Sequence, residues 1–423
     1  MDELVAVYDA AGRPAGSAPR SRMRAENLRH AATAVVVRDP WGRVYVHRRT
    51  DTKDVYPGLH DFTAGGVVAA GEDPLVAARR ELEEELGVAG VTLEPIGVGD
   101  YADAHTDYRG FGYTTTWDGP VRWQPEEVAW GDWVTLDRLA AWLAEAPDDF
   151  VPDARALWGG WVAERLAARR TPEQGWDSET EVVEARWVDR RPRRPEVAPR
   201  LRAEAALLPR LAPLLPLAVP VPVVLDEEPL RVRHVLVPGE PCRPEKLGAD
   251  DGALVGRFLR VLHDSGREVW AGSGVPDAAA SRAELLTLIA DLDARVLPLL
   301  PDARRAEGAR LLEAVAEPGP VRLVHGDLGP QHLLVTEGRV SGVVDWCDAR
   351  VLDPALDLAW TLHGTPAAFA EALAAAYGVD DPVRDRSLLW RRLGPWHEVL
   401  FGLDHGGAAY VDSGLAGVLD RLG

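Results

Sequence analysis

The sequence predicts a two-domain protein of mixed α/β and α+β class. The chain of 423 residues is too long for one ordinary hydrophobic core. β-Rich runs and helical periods occur in both halves, and AARRTPEQGW, residues 167–176, joins the charged end of a helical pattern to Thr-Pro and Gly, which is typical of a domain boundary. We therefore expect one domain over residues 1–168 and a second over residues 172–423.

The first domain is predicted to be a sheet with helices on its faces. The β-rich runs ATAVVVRD and RVYVHRR are joined by Asp-Pro-Trp-Gly, which indicates a hairpin. The stretch PLVAARRELEEELG has apolar residues at helical spacing and ends at Gly87, a natural helix stop. PEEVAWGDWVTLDRLAAWLAEA then predicts a strand followed by a helix.

The second domain is predicted to have two lobes. EVVEARWVDRR is predicted to form a hairpin or paired strands, EVAPRLRAEAALLPRL a helix and LRVRHVLVPGE another strand, which indicates a small lobe at about 172–240. From Asp250 onward the pattern turns helical, which indicates a larger lobe at about 241–423. A cleft between the lobes is the default place for a site.

Composition restricts the partners. Acidic side chains outnumber basic ones by 67 to 47, for a net charge of −20, which opposes binding to nucleic acid or an anionic membrane. Acidic or polyanionic partners would therefore need a local basic pocket or a metal, and the sequence gives no indication of the oligomeric state. Two cysteines exclude a disulfide framework and a cysteine zinc site, and the N-terminus lacks the pattern of a signal peptide, so we expect a cytoplasmic protein.

Three carboxylates lie at i, i+3 and i+4 on the predicted helix of the first domain, at Glu81, Glu84 and Glu85. Like charges at this spacing repel, and hard oxygen ligands without His or Cys suit Mg²⁺ or Mn²⁺. A solvated helix face is the alternative interpretation of such a cluster. The spacing of the residues around it favours a metal site.

The stretch GVVAAGEDPLVAARRELEEELGV, residues 66–88, resembles the Nudix box at every fixed position. Those positions hold Gly66, Glu72, Arg80, Glu81, Leu82, Glu84, Glu85, Gly87 and Val88. The resemblance covers about residues 1–165. It implies an α/β/α sandwich and a metal-dependent hydrolase that cleaves the diphosphate linkage of a nucleoside diphosphate joined to another group.

The resemblance also implies a role for each residue of the box. Glu81, Glu84 and Glu85 would bind the metal, Arg80 would orient the glutamates, and Gly66 would permit the loop before the helix. Glu84 is our prediction for the residue that activates water, although the box leaves open a base from a later loop.

The segment upstream of the box resembles the Nudix branch that contains isopentenyl diphosphate isomerase. That isomerase requires a cysteine and a histidine just before the box, where this chain has Ala64 and Gly66. The departure disfavours isomerase chemistry and favours hydrolysis of a diphosphate.

The second domain contains LVHGDLGPQHLLV, residues 323–335, followed by a predicted hairpin. The runs HLLV and VSGVVDW flank Thr-Glu-Gly-Arg, so they should fold back on each other and return Asp345 to the end where Asp327 lies. Phosphoryl transfer requires two carboxylates close together, one to orient the acceptor hydroxyl and one to bind Mg²⁺. The alternative is a tight turn at His-Gly-Asp and a strand-end aspartate bound to backbone.

With the later motif Asp353-Pro-Ala-Leu-Asp357, this stretch resembles the aminoglycoside phosphotransferase family over about residues 172–420. The resemblance implies a two-lobed, protein-kinase-like fold that phosphorylates small-molecule hydroxyls with ATP or GTP. By matching position, Asp327 would be the catalytic base and Asp345 a magnesium ligand, and His325 and Asp357 would support the loop.

Three further residues of the second domain are predicted from the same resemblance. His332 stands where family members usually carry Asn, and its imidazole is a candidate metal ligand. Arg190 occupies the place of the phosphate-binding Lys or Arg, with Glu204 as its ion-pair partner; a solvated basic run over 190–194 is the alternative. QGWDSETEVV, residues 174–183, would have to provide any phosphate loop.

We therefore predict a bifunctional enzyme with a Nudix hydrolase and a small-molecule phosphotransferase. The alternative is a hydrolase whose kinase-like domain is a non-catalytic regulatory module for nucleotide or partner binding, which the polar Asp189 and Arg191 in a predicted buried strand favour. The acidic excess after residue 211 favours a cationic acceptor, such as an aminoglycoside-like or amine-bearing compound.

Overall fold

The computed structural model describes residues 3–172 and 177–422. The chain divides into two compact units: residues 1–170 together with 182–185, and residues 171–181 together with 186–423. The domain boundaries predicted at 168 and 172 stay predictions.

The first unit is built around one mixed sheet. The strands of this sheet are β1 (Leu4–Tyr8), β2 (Pro14–Pro19), β3 (His30–Arg38), β4 (Val44–Arg49), β5 (His60–Asp61), β6 (Glu94–Ala102), β7 (Asp107–Thr116) and β8 (Val128–Val134). The unit also contains the short strand β9 (Arg169–Arg170), which lies outside this sheet. Its helices are α1 (Arg20–Ala25), α2 (Pro74–Leu86), α3 (Leu136–Glu145) and α4 (Pro152–Ala167).

The sheet curls because β3 and β4 diverge after their turn. The predicted Asp-Pro-Trp-Gly turn is confirmed: Asp39 Oδ1 accepts the backbone N–H groups of Trp41 and Arg43 at 3.0 and 2.8 Å. Beyond the Arg38–Val44 pair, β3 runs parallel to β7, while β4 pairs antiparallel with β8.

Helices cover both faces of this sheet. On one face the buried side chain of Val36 packs with Leu139 of α3 and Trp158 of α4. On the other face Val35, one residue away, packs with Leu82 of α2. Alternate strand residues therefore point to opposite cores. This arrangement confirms the predicted α/β/α sandwich.

The second unit is strand-rich first and helical afterwards. Its strands are β10 (Ser178–Val183), β11 (Trp187–Pro192), β12 (Val223–Glu227), β13 (Leu230–Val235), β14 (Glu240–Pro241), β15 (Arg322–Val324), β16 (Leu333–Thr336), β17 (Arg339–Val343) and β18 (Arg350–Leu352). Its helices are α5 (Ala198–Leu211), α6 (Ala249–His263), α7 (Arg267–Trp270), α8 (Ala278–Asp291), α9 (Asp302–Ala316), α10 (Ala355–His363), α11 (Ala367–Tyr377), α12 (Asp381–His405) and α13 (Ala408–Leu422).

These elements form the predicted two-lobed, kinase-like layout. The small lobe is a sheet in the order β12-β13-β11-β10, and Leu201 of α5 packs on its Leu230 and Val232. In the large lobe, α12 packs against α10, α9 and α13 around the fully buried Trp396. Within residues 3–172 and 177–422, no helix combines the length and hydropathy needed to cross a bilayer.

Candidate active sites

The first candidate site is built on α2. The carboxylate of Asp73 caps its first turn by accepting a backbone N–H at 2.8 Å, and Gly87 ends it in the left-handed conformation, at φ 66°. Ala78, Leu82 and Leu86 are buried against the sheet. That packing fixes the rotation of the helix and directs the acidic residues of the box toward the neighbouring loop.

Gly66 lies directly beneath Glu81. A Cβ atom at Gly66 would lie 2.5 Å from the Glu81 carboxylate, and one at Gly65 would lie 2.1 Å from the backbone oxygen of Thr33. Both distances are far below van der Waals contact. The loop therefore approaches the helix and β3 as closely as it does only because both residues are glycines.

Arg80 connects the acidic residues of the box. Its Nε and Nη2 donate to Glu72 at 3.1 and 3.0 Å, and its Nη1 donates to Glu81 Oε1 at 2.6 Å and to Glu84 Oε2 at 3.3 Å. The hydrogen bond to Glu72, followed by the bond and charge of Glu81, raises the pKa of Arg80 despite partial burial. Arg80 thus contacts both Glu81 and Glu84, and the orienting role predicted for it stays a prediction.

Glu85 is buried, and its partners come from two loops. Its Oε2 accepts the Gly65 N–H at 3.0 Å, and its Oε1 lies 3.7 Å from Lys53 Nζ, which also contacts Glu127. Burial raises the pKa of Glu85, and the positive charge of Lys53 opposes the shift. Burial also raises the pKa of Glu81, against the effect of Arg80.

Glu81, Glu84 and Glu85 line one cleft of about 460 Å³. Across residues 3–172 and 177–422, no three acidic, histidine or cysteine side chains already stand together as a metal site. Glu81 is turned to Arg80, and Glu85 to Gly65 and Lys53. The donors fit Mg²⁺ in type, because they are hard oxygens and a cation would offset their burial and mutual repulsion.

Sequence reasoning missed further polar residues of this cleft, namely Lys53, Asp61, Glu127 and Asp153. Asp61 accepts the N–H and the hydroxyl of Thr63, both at 2.8 Å, and burial raises the pKa of its carboxyl to about 7. These residues lie outside the box and follow no spacing rule, so only the fold brings them to it.

The second candidate site begins at the loop after β15. Asp357, which is fully buried, accepts the backbone N–H groups of His325 and Gly326 at 2.8 and 2.9 Å. Gly326 has φ 89°, and a Cβ there would lie 2.2 Å from the backbone oxygen of Asp348. These contacts hold the loop in the conformation that presents Asp327.

The predicted hairpin of β16 and β17 is confirmed. Leu333 pairs with Val343, and Glu337 and Gly338 form the turn with positive φ values of 51° and 78°. Asp345 then follows in the left-handed conformation, at φ 64°. The hairpin returns the chain to the loop that holds Asp327, as the sequence predicted.

His332 bridges the two aspartates. Its Nδ1 donates to the backbone oxygen of Asp327 at 2.6 Å and lies 3.7 Å from the Asp327 carboxylate. Its Nε2 lies 3.6 Å from Asp345 Oδ2. Because a carbonyl only accepts, Nδ1 carries a proton, and Nε2 is left to face Asp345 with either a second proton or a lone pair. The lone-pair form is the one able to bind a metal.

Arg190 extends this chain of charges into the small lobe. Its Nη1 lies 2.8 Å from Glu204 and its Nη2 lies 3.0 Å from Asp345, and the guanidinium also contacts Ser178 and Cys347. Burial disfavours the charge of Arg190, but the two carboxylates outweigh it and raise its pKa. Arg190 is therefore in a buried ion network, and the alternative of a solvated basic run does not apply to it.

The acid–base character of the two aspartates differs. Burial and the negative charges of Asp348 and Asp345 raise the pKa of Asp327 to about 6, against the effect of His332. Burial acts in the same sense on Asp345, but Arg190 and His332 outweigh it and lower the pKa of that carboxyl. Asp327 is thus the better proton acceptor, and Asp345 the more persistent anion. The roles predicted for both stay predictions.

The polar residues of β11 are paired. Asp189, with no exposed side-chain surface, receives the Nε and Nη2 hydrogen bonds of Arg233 at 2.5 and 2.7 Å from the facing strand. Arg191 pairs with Glu181 at 2.9 Å. Cross-strand ion pairs therefore accommodate the charges in the sheet.

The phosphate loop predicted at 174–183 is wrong for most of its length. Residues 178–183 form β10, and residues 174–176 lie outside the described residues. A strand arises there because Val182 and Val183 are β-branched and buried.

A cavity of about 880 Å³ opens beside Asp327. Residues of α8, α10, α12 and α13 line it together with the loop after β15. Its volume is in the range of small-molecule sites.

Comparisons with known proteins agree with both halves. A NUDIX domain model matches residues 28–154, and a phosphotransferase enzyme family model matches residues 168–393. The uncharacterized Nudix hydrolase orf19 of Rhodococcus erythropolis is 45% identical over 166 residues, which are 37% of this chain and 90% of that protein.

Two solved structures resemble the second unit. The GDP and kanamycin complex of APH(2")-IIia aligns with a TM-score of 0.55 at 21% identity, covering 62% of this chain and 97% of that one. Macrolide 2'-phosphotransferase MphH from Brachybacterium faecium aligns with a TM-score of 0.50 at 26% identity, covering 62% of this chain and 98% of that one. The first of these likenesses shows the fold alone.

Proposed function

Because the chain belongs to the Nudix hydrolase family in its first part and to the phosphotransferase enzyme family in its second, we propose that it carries two phosphate chemistries. The first is Mg²⁺-dependent hydrolysis of a diphosphate linkage in a nucleoside diphosphate joined to another group. The second is transfer of the γ-phosphoryl group of ATP or GTP to the hydroxyl of a small molecule.

The hydrolase proposal is supported by the cleft along α2. Glu81, Glu84 and Glu85 would hold the metal, which supplies charge neutralisation for the diphosphate and a more acidic water. Glu84 is the most exposed of the three, since 55% of its side chain is accessible and one 3.3 Å hydrogen bond links it to Arg80. It therefore has the freedom that a residue taking a proton from water requires.

The observation that carries the transferase proposal is the continuous chain of contacts from Asp327 through His332, Asp345 and Arg190 to Glu204. It joins a base candidate, a metal-ligand candidate and a buried arginine in one network. In the proposed step the Asp327 carboxylate accepts the acceptor's hydroxyl proton. The acceptor oxygen bonds to the γ-phosphorus as the bond to the β-phosphate oxygen breaks, and the nucleoside diphosphate leaves.

At the second site the Asp345 carboxylate fits a divalent cation by donor chemistry, whereas the imidazole nitrogen of His332 is a weaker donor to Mg²⁺ than an oxygen would be. Asp345 supplies carboxylate oxygens with a lowered pKa, and His332 presents Nε2 on the same side. A bound Mg²⁺ would neutralise charge on the nucleotide phosphates. Arg190 would hold Asp345 in place from the small-lobe side.

A second candidate function, a nucleotide-binding module without turnover, is favoured by one observation. Arg190 forms an ion pair with Asp345 at 3.0 Å, so the carboxylate proposed for the metal already has a cationic partner. In that case ATP would bind without transfer.

The experiment that separates these functions uses the full chain with ATP or GTP, Mg²⁺ and a panel of hydroxyl acceptors. The proposal expects nucleoside diphosphate to form only with an acceptor and to require Asp327. Nucleotide binding by calorimetry without turnover on any acceptor would favour the binding module. GTP belongs in the assay because GDP occupies the similar APH(2")-IIia structure.

A further inference from the structure

The cavity beside Asp327 is lined by both charged and apolar side chains. Leu285 of α8, Leu356 and Trp360 of α10 and Trp390 of α12 contribute the apolar surface. Such a pocket binds the body of a small molecule, while a few charged groups select which molecule enters.

Two acidic groups of the cavity lining, Glu284 and Asp348, already have basic partners. Arg350 lies 3.1 Å from both Glu284 and Asp348, and Arg200 lies 3.3 Å from Asp348. These four side chains all line the cavity. Their charges offset one another, so this part of the wall has no strong preference for the sign of a ligand.

Arg391 of α12 and Arg421 of α13 line the same cavity and differ from these pairs. Arg421 Nη1 donates to the backbone oxygen of Arg391 at 2.8 Å, which places the Arg421 guanidinium against α12 at the residue whose side chain lines the same cavity. Both are partly buried, and within residues 3–172 and 177–422 neither lies within 4.0 Å of a carboxylate oxygen.

This arrangement is electrostatically unfavourable when the cavity contains only water. Burial and the charge of Arg421 lower the pKa of Arg391, and burial lowers the pKa of Arg421 although Asp420 and Glu398 oppose the shift. An anion bound between the two guanidinium groups would relieve the repulsion. Arginine is suited to this because its fork matches carboxylate and phosphate oxygens.

Gly394, one helical turn after Arg391, keeps the site open. Its surface is exposed in the cavity wall, and a Cβ atom there would lie 3.0 Å from Arg421 Nη1. A larger residue would press on the guanidinium.

We propose that the acceptor of the phosphotransferase is a hydroxyl compound that also carries a carboxylate or a phosphate monoester, which Arg391 and Arg421 bind. This rests on the proposed transferase function of the second unit. The net acidic charge of the chain favoured an amine-bearing acceptor. The cavity lining is the more specific guide because it is the surface that the acceptor touches. Among its acidic residues, exposed Asp291 is one that an amine could contact instead.

Binding of simple anions tests the site without turnover. Calorimetric titrations of the full chain with inorganic phosphate and with acetate would compare wild type with Arg391→Gln, Arg421→Gln and the surface control Arg295→Gln, whose partner is Asp404. Each cavity variant should weaken binding of at least one anion by about 10- to 100-fold, the range for a lost charge-assisted hydrogen bond. Affinities unchanged in both cavity variants would overturn the proposal.

Folding is checked separately, because Arg391 and Arg421 join two helices. Circular dichroism and ATP affinity should match wild type, and Arg391→Lys, which keeps the charge but loses the fork, should bind the anion with intermediate affinity. Equal losses in Lys and Gln variants with an altered ATP affinity would assign Arg391 a structural role and contradict the proposal.

Turnover identifies the chemical class of the acceptor. Four probes share one carbon skeleton: glycerol, glycerate, glycerol 3-phosphate and 3-amino-1,2-propanediol. The proposal expects kcat/KM to be highest for an anionic probe. In Arg391→Gln, the ratio of kcat/KM for that probe to kcat/KM for glycerol should fall about 10- to 100-fold, because KM for the anionic probe rises. Preference for the amine would overturn it. If no hydroxyl acceptor consumes ATP while phosphate binding still depends on Arg391, the transferase proposal fails and the anion site stands.

Discussion

The two candidate sites differ in how the chain assembles them. In the first, Arg80 and the carboxylates that it holds belong to one short segment, residues 72–84, and the helix α2 sets the spacing of Arg80, Glu81 and Glu84. In the second, Arg190, Glu204, Asp327 and Asp345 come from four separate segments. A local site is specified by its own sequence period, whereas a dispersed site requires the tertiary fold to be complete.

The arginines at the two centres also differ in burial. The side chain of Arg80 is 32% exposed, whereas that of Arg190 is 8% exposed and its partner Glu204 is 1% exposed. Water can replace the partners of Arg80, but it cannot reach Glu204. Substitution of Arg80 should therefore change the free energy of unfolding little, whereas substitution of Arg190 should lower it substantially.

Asp327→Asn is expected to have the largest effect. Asparagine keeps the shape but cannot take a proton, so the rate of phosphoryl transfer should fall by about 10²- to 10⁴-fold, with diphosphate hydrolysis unchanged. Steady-state assays of both activities on one preparation provide the measurement. The exposed Asp302→Asn serves as control. Unchanged transfer by the Asp327 variant would remove the base from the mechanism.

Arg190→Ala should destabilise the second unit by about 3–5 kcal/mol, because it leaves the buried Glu204 without its charge partner. Arg80→Ala should cost the first unit about 1 kcal/mol or less, since its ion pairs are partly solvated. Urea unfolding followed by tryptophan fluorescence and by limited proteolysis would assign each transition. Equal losses of unfolding free energy in the two variants would contradict the claim that burial of the arginine determines the cost of removing it.

Glu85→Gln removes a proposed metal ligand, so the Mg²⁺ concentration needed for half-maximal hydrolysis should rise by at least the roughly 10- to 100-fold that follows loss of a residue that only supports a ligand. Glu83→Gln is a matched control, because Glu83 lies on the same helix and is exposed. A Mg²⁺ titration of diphosphate cleavage measures both. If the Glu83 variant changed as much as the Glu85 variant, the effect would be one of helix charge alone.

The pH dependence of the transferase should be the mildest difference between the sites. With a pKa of about 6, Asp327 is ionised above that pH and protonated below it. As a base it acts only when ionised, so kcat/KM should rise about tenfold per pH unit up to pH 6 and then level off. A profile from pH 4.5 to 8 tests this. A level profile across pH 6 would show that proton acceptance by this group does not limit the rate.

Features formed within one short segment could be predicted from the sequence, whereas most contacts between distant segments could not. The helix of the Nudix box and the β16–β17 hairpin follow from spacing and turn residues. Lys53 and Asp61 were missed because they lie outside the box. The partner of Asp189 depends on strand register, which places Arg233 opposite it.

The family resemblance predicted one contact that residue spacing alone could not. The ion pair of Arg190 and Glu204 was predicted only from family position, since no local pattern connects a strand residue with a helix residue. The same approach was wrong about the phosphate loop, where β-branched residues extend β10 instead.

The central claim is that one chain holds two independent phosphate sites. Phosphorus NMR on the full chain with ATP, Mg²⁺, a hydroxyl acceptor and a nucleoside diphosphate conjugate observes both products at once. The account predicts that Asp327→Asn removes only the new phosphomonoester of the acceptor and that Glu85→Gln diminishes only cleavage of the conjugate. Loss of both products in either correctly folded variant, or of neither in both, would contradict it.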